Sequence, residues 1–213
     1  MSLIKLAEKV RDIRSDIKVR RQVEERLKEF ELIGKSDKLI WLREMTFCIL
    51  VANFSALNAY NMALELERSG LLLYGKRQEI ISLLRSMGHR FYNMRADFIV
   101  RARGTLDEVY SVLPRLPDFE ARDWLRKRIK GFGMKEASHF LRNLGRKDLA
   151  IIDRHILKVL LKYGVIKDLP KTLTRKRYIS LEKSLREVAE MCDLNLAELD
   201  LYLWYSETGF VFR

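Results

Sequence analysis

The stretch from Ile129 to Gly145, IKGFGMKEASHFLRNLG, sets two glycines one residue apart and a lysine two residues after the second. Gly131 and Gly133 interrupt a helical pattern, and backbone without Cβ atoms adopts positive φ and admits close approach by another backbone. Their amides, with those opening the next helix, form a small electropositive cup suited to a phosphate. Phe132 between them is expected to pack inward and fix the turn. Any tight helix connection uses glycine, so the flanking charge decides the reading. Between Arg122 and Lys147 stand nine basic residues and two acidic ones, Asp123 and Glu136, so this run carries +7 of the chain's formal net +12. A solvated helix face can carry such charge. Beside a phosphate cup it points to a nucleic-acid backbone, with Lys130, Gly131 and Gly133 as contacts. Lys135 then stands at the positive end of a helix, near Lys130 and Arg128, where its charged form is disfavoured. A lysine amine attacks only without its extra proton.

The elements that must position these residues are helical almost throughout, with apolar residues three and four apart and no hairpin dipeptides between alternating runs. Gly and Pro punctuate the pattern into twelve helical segments, from 4–15 to 196–207, with the pair 118–129 and 134–144 flanking the glycines. Asp118, after Pro117, reads as a helix N-cap. The 213 residues suit one all-α unit of two helical lobes, with the helical hairpin over about 124–144. No window approaches the roughly 18 apolar residues of a membrane span, and the charged N-terminal stretch lacks the apolar centre of a secretory signal. No membrane partner and a cytoplasmic, nucleoid-associated location are expected.

Cys48 and Cys192 lie in apolar helical patterns and read as buried free thiols. Two thiols without CxxC spacing cannot hold a four-cysteine iron-sulfur cluster. His89, His139 and His155 form no recognised ligand spacing, and neither GxGxxG nor a P-loop occurs. No metal and no nucleotide cofactor are expected.

IKGFGMKEA resembles the helix-hairpin-helix motif of the endonuclease III superfamily of DNA glycosylases, and LAIIDRHI (Leu149 to Ile156) resembles its downstream catalytic-aspartate segment. ILVANFSA (Ile49 to Ala56), GHRFYNMRADFIV (Gly88 to Val100), KEASHFLRNLG and LDLYLWYSETG (Leu199 to Gly209) are similar to the small 8-oxoguanine DNA glycosylase and lyase branch best known from archaea. The missing cysteine cluster agrees with that branch. The resemblance covers nearly the whole chain. It implies an all-α, two-lobed fold with the active site in the interlobe cleft, where a base rotated out of duplex DNA is reached. It makes Lys135 the nucleophile and Asp153 the catalytic aspartate. The amine would attack the deoxyribose C1′ and expel the damaged base. The resulting Schiff base permits β-elimination of the 3′ phosphate. Asp153 would accept a proton and stabilise positive charge developing on the sugar; capping the helix that begins at Arg154 is a second role open to it.

The same resemblance implies that Phe91 and Trp204 stack on the extruded base, that Asn53 enters the gap it leaves, and that Arg90 contacts the orphaned opposite base. Arg213 takes the terminal place where the family commonly ends in lysine and helps recognise the oxidised base. The expected function is a bifunctional DNA glycosylase and AP lyase acting on 8-oxoguanine in duplex DNA as a monomer. A non-catalytic helix-hairpin-helix DNA-binding module, or a glycosylase for another damaged base, shares the hairpin and the basic flank. A module that only binds does not need Lys135 with Asp153.

Overall fold

The structure is a computed structural model that describes residues 2–212. From the N-terminus run α1 (Ser2–Ser15), α2 (Ile17–Gly34), α3 (Lys38–Leu50), α4 (Ala56–Arg68) and the single turn α5 (Leu71–Tyr74). There follow α6 (Arg77–Ser86), α7 (Tyr92–Arg103), α8 (Leu106–Val112), a 3-10 turn at Leu113–Arg115, and α9 (Asp118–Arg128). The last four are α10 (Met134–Asn143), α11 (Arg154–Lys162), α12 (Arg175–Met191) and α13 (Leu196–Thr208). No strand occurs among the described residues, as the helical periodicity requires.

Contacts divide the chain into two compact units. The first joins the two ends of the chain, Met1–Leu32 with Gly145–Arg213, and the second is the continuous segment Ile33–Leu144. The first unit is built on α1, α12 and α13, with Leu6, Tyr178 and Tyr202 buried among them. In the second, α3 is central. Almost every residue from Trp41 to Leu50 is buried, Glu44 included, and the fully buried amide of Asn143 on α10 donates to Glu44 Oε2 at 2.9 Å. A buried carboxylate with a hydrogen-bond donor is tolerated where a lone one is not, so this pair fixes α10 against α3. Both cysteines are free and buried, matching the sequence reading.

Two local expectations are corrected. Asp118 is the first residue of α9 and Pro117 occupies the cap position, because proline's fixed φ suits the entry to a helix. The turns at Leu71–Tyr74 and Leu113–Arg115 are helical although too short to show a period. No described helix is long and apolar enough to cross a membrane.

Candidate active site

The hairpin between α9 and α10 is held from inside. Ile129 and Phe132 are buried, and Phe132 meets Phe140 edge-on at 5.9 Å. Gly131 has φ +96, and a Cβ there would stand 2.5 Å from Cδ2 of Phe98. Position 131 therefore excludes side chains twice, by torsion and by space. Gly133 does not behave as the sequence reading expected. Its φ is −98, an ordinary extended conformation, and its N–H donates to Glu136 Oε2 at 3.1 Å. One amide of the anticipated phosphate cup is thus already held by the chain's own carboxylate, as in a capping box. Lys130 is exposed at the hairpin's edge. Arg128, read as a charge near the lysine, is ion-paired with Glu108.

Lys135 lies in the first turn of α10, half-buried, its side-chain amine making no hydrogen bond or ion pair among the described residues. Cys48 of α3 lies close enough to feel its charge. Burial pushes the Cys48 thiol well up, and the Lys135 ammonium is the foremost influence opposing that rise. Cys48 therefore stays a thiol at neutral pH. It lends the lysine an uncharged neighbour rather than a counter-ion.

Asp153 is the N-cap of α11, and one oxygen, Oδ1, accepts from the amides of His155 at 2.8 Å and Ile156 at 2.9 Å. Oδ2 takes no hydrogen bond among the described residues. The cap therefore orients the carboxylate and leaves one oxygen for other work. The extended segment before it is pinned by α12. The buried Tyr178 hydroxyl donates to the Ala150 carbonyl at 2.7 Å and accepts from the Ile152 amide at 3.1 Å. The buried Glu182 carboxylate accepts from the Ala150 amide at 3.0 Å. Trp204 of α13, half-buried, meets the His155 ring edge-on at 5.1 Å, so His155 links the aspartate to the tryptophan within this unit.

Asn53, Arg90 and Phe91 come together in the other unit. Asn53 is exposed in the turn between α3 and α4, at φ 61, a left-handed conformation that asparagine adopts more readily than most residues. Arg90 Nη2 donates to the Asn53 carbonyl at 3.1 Å, and its guanidinium lies 5.6 Å from the centre of the Phe91 ring. Phe91 caps α7 and is 41% exposed, a flat apolar face left open to solvent.

The 8-oxoguanine DNA glycosylase family model matches residues 23–194. The chain belongs to that family. An 8-oxoguanine DNA glycosylase/AP lyase of Methanocaldococcus jannaschii is 42% identical, covering 100% of each chain. A crystal structure of the M. jannaschii 8-oxoguanine glycosylase/lyase, in complex with a 15mer DNA containing 8-oxoguanine, superposes with TM-score 0.93 at 38% identity, covering 98% of this chain and 100% of that one. The 8-oxoguanine DNA glycosylase of Thermotoga maritima gives TM-score 0.92 at 36% identity, over 99% and 100%. The fold of this family member is accordingly the helix-hairpin-helix glycosylase fold.

Arg213 lies outside the described residues. The sequence reading passed over four supporting side chains: His89, Arg95, Tyr178 and Glu182. His89 is 1% exposed and stacked on Phe54 at 4.3 Å. Its Nε2 faces the Leu50 carbonyl at 3.0 Å, and its Nδ1 accepts from the Phe91 amide at 3.1 Å. A ring that accepts at Nδ1 must carry its proton on Nε2. His89 is thus neutral and its tautomer is fixed.

Proposed function

We propose that this protein excises 8-oxoguanine from duplex DNA and cleaves the strand at the resulting abasic site, with Lys135 as nucleophile and Asp153 as proton acceptor. One observation carries the assignment of the nucleophile. Lys135 is half-buried at the start of the helix that follows the Gly131 turn, and no acid among the described residues claims it. A surface lysine kept for solubility has no need of that seclusion.

The uncharged Nζ attacks C1′ of the damaged nucleotide. The bond from C1′ to the base breaks, and the base leaves with the electron pair and takes up a proton. Opening of the sugar ring gives an iminium between Nζ and C1′. Loss of a proton from C2′ then expels the 3′ phosphate. The Asp153 carboxylate, fixed through Oδ1, offers Oδ2 to accept a proton and to stabilise cationic character on the sugar. Phe91 and Trp204 supply aromatic faces for the extruded base, with Arg213 a further contact. Asn53 fills the gap in the stack, and Arg90 addresses the unpaired partner base. Lys130 and the hairpin at Gly131 and Gly133 hold the DNA backbone. Both reacting groups belong to one chain, so we take a monomer on chromosomal DNA in the cytoplasm as the working form.

The test is borohydride trapping on a labelled duplex with 8-oxoguanine opposite cytosine. Wild type should yield a covalent adduct, and Lys135→Gln none, with its DNA affinity retained. Persistence of the adduct in Lys135→Gln would remove Lys135 from the role. Binding without base release or adduct in wild type would leave a DNA-binding module.

A further inference from the structure

Three backbone carbonyls at the end of α3 and in the turn after it, those of Leu50, Ala52 and Asn53, are each met by a side chain from one short segment of the same unit. His89 takes the first, Arg95 the second at 2.8 Å, and Arg90 the third. Such carbonyls beyond a helix end have no intrahelical donor, so the turn's shape depends on what side chains supply. Arg95 differs from the other two in what stands behind it. It is 5% exposed, an unusual place for a guanidinium, and its charge centre lies 5.9 Å from the centre of the Phe98 ring. That ring is the one pressed against Gly131. A single buried cation therefore touches the Asn53 turn on one side and, through one aromatic ring, the hairpin on the other. Burial lowers its affinity for the proton from arginine's ordinary value, with the Glu136 carboxylate acting the other way. The same Glu136 holds the Gly133 amide.

We propose that Arg95 is a positioning residue for base extrusion, holding the Asn53 turn at a fixed place relative to the hairpin. The proposal rests on the reading of Asn53 as the group that enters the gap left by the extruded nucleotide. Arg95 reaches no substrate. It acts through Asn53, whose positive φ makes the turn costly to hold without support. Arginine suits the place because its planar fork can donate to a carbonyl while its face lies on a ring.

The experiment separates extrusion from sugar chemistry. Under single-turnover conditions, 8-oxoguanine excision and cleavage at a preformed abasic site are measured in the same duplex sequence for wild type, Arg95→Met, Arg95→Lys, Asn53→Ala and the double Asn53→Ala/Arg95→Met. An abasic site has no base to unstack. Arg95→Met should lose about tenfold or more in excision and less than about threefold in abasic cleavage. Arg95→Lys should recover part of the excision rate. Asn53→Ala should give the same selective loss, and the double variant should be no slower than the slower single one, because groups acting as a unit are not additive. Equal losses in both reactions, or multiplied losses in the double variant, would overturn the proposal and leave Arg95 a stabilising residue. Normal excision by Arg95→Met with a selective defect in Asn53→Ala would overturn it while sparing the reading of Asn53. Normal excision by Asn53→Ala would overturn both. Should Arg95→Met not fold, the folded Arg95→Lys variant decides by the same ratio of rates.

Discussion

His89 carries a pH dependence whose sign follows from two hydrogen bonds. The ring donates at Nε2 to Leu50 and accepts at Nδ1 from Phe91, so a second proton would remove the acceptor that the Phe91 amide has among the described residues. Burial, with Arg95 and Arg90 as the nearby charges, lowers the ring's proton affinity below the usual histidine value, and the Leu50 carbonyl opposes the shift. The unfolded chain binds that proton near pH 6.5 and the folded chain resists it. The stability associated with His89 is therefore complete above about pH 6.5 and is lost as pH falls towards the lowered folded value. Urea midpoints between pH 8 and pH 5 should fall for wild type, and the part of that fall below about pH 6.5 should shrink in His89→Gln, which keeps a donor and an acceptor without the titration. Identical slopes in the two proteins would exclude His89 as the titrating group. Some features at this scale were readable from type and spacing, as with Lys135 at a helix start and Gly131 in a turn. At Gly133 the positive φ expected from the sequence is absent, its φ being −98, because a glycine in sequence does not reveal whether freedom of φ or the absence of a side chain is what the site uses.

Two short elements place the proposed reacting groups, and each has one position whose loss should be informative. In the hairpin, Gly131→Ala would meet both positive φ and the Phe98 ring. It should destabilise the second unit by about 2 kcal/mol or more and weaken DNA binding, readable in thermal melts and anisotropy titrations. Gly133→Ala meets no torsional penalty, since φ is ordinary, and a milder steric one, since the nearest atom is the end of the Glu136 side chain, Oε2, at 3.1 Å, which can shift slightly; it should melt within a few degrees of wild type. In the segment before Asp153, Tyr178→Phe strips one hydroxyl from two buried backbone groups. The cost should be about 1–3 kcal/mol, and single-turnover excision should slow by more than DNA affinity weakens. Unchanged excision in a destabilised Tyr178→Phe would show that Asp153 is oriented by its cap alone. The helices themselves were legible because Gly and Pro bound long apolar periods. The pins were not. Tyr178, Glu182, His89 and Arg95 bond backbone atoms 26 to 43 residues away, and a backbone carbonyl has no letter in the sequence to be matched.

Net charge belongs to the whole molecule, and folding changes what it means for binding. Counting letters from Arg122 to Lys147 gives nine cations, and if each met a phosphate the binding constant would fall with salt at a logarithmic slope of about −8. The structure withdraws two of them. Arg122 and Arg142 are each 2% exposed, and Arg122 faces the buried Ser138 hydroxyl at 3.4 Å. Three others hold acids: Arg126 with Asp123, Arg128 with Glu108 and Lys147 with Glu31. Those pairs are open to water and worth little, so DNA can exchange for them, but each phosphate then displaces a carboxylate as well as counter-ions. Lys127 and Lys130 are exposed without ion-pair partners among the described residues. Each should therefore give the full effect. Lys127→Gln and Lys130→Gln should each flatten the salt slope by about 0.9 with little change in melting temperature. Arg122→Gln should do the reverse, lowering the melting temperature and leaving the slope unchanged, because a cation already removed from water has no ion atmosphere to share with DNA. A slope that drops equally for all three variants would mean that the buried arginine reaches the phosphates, and that the division between structural and DNA-facing cations drawn from burial is wrong.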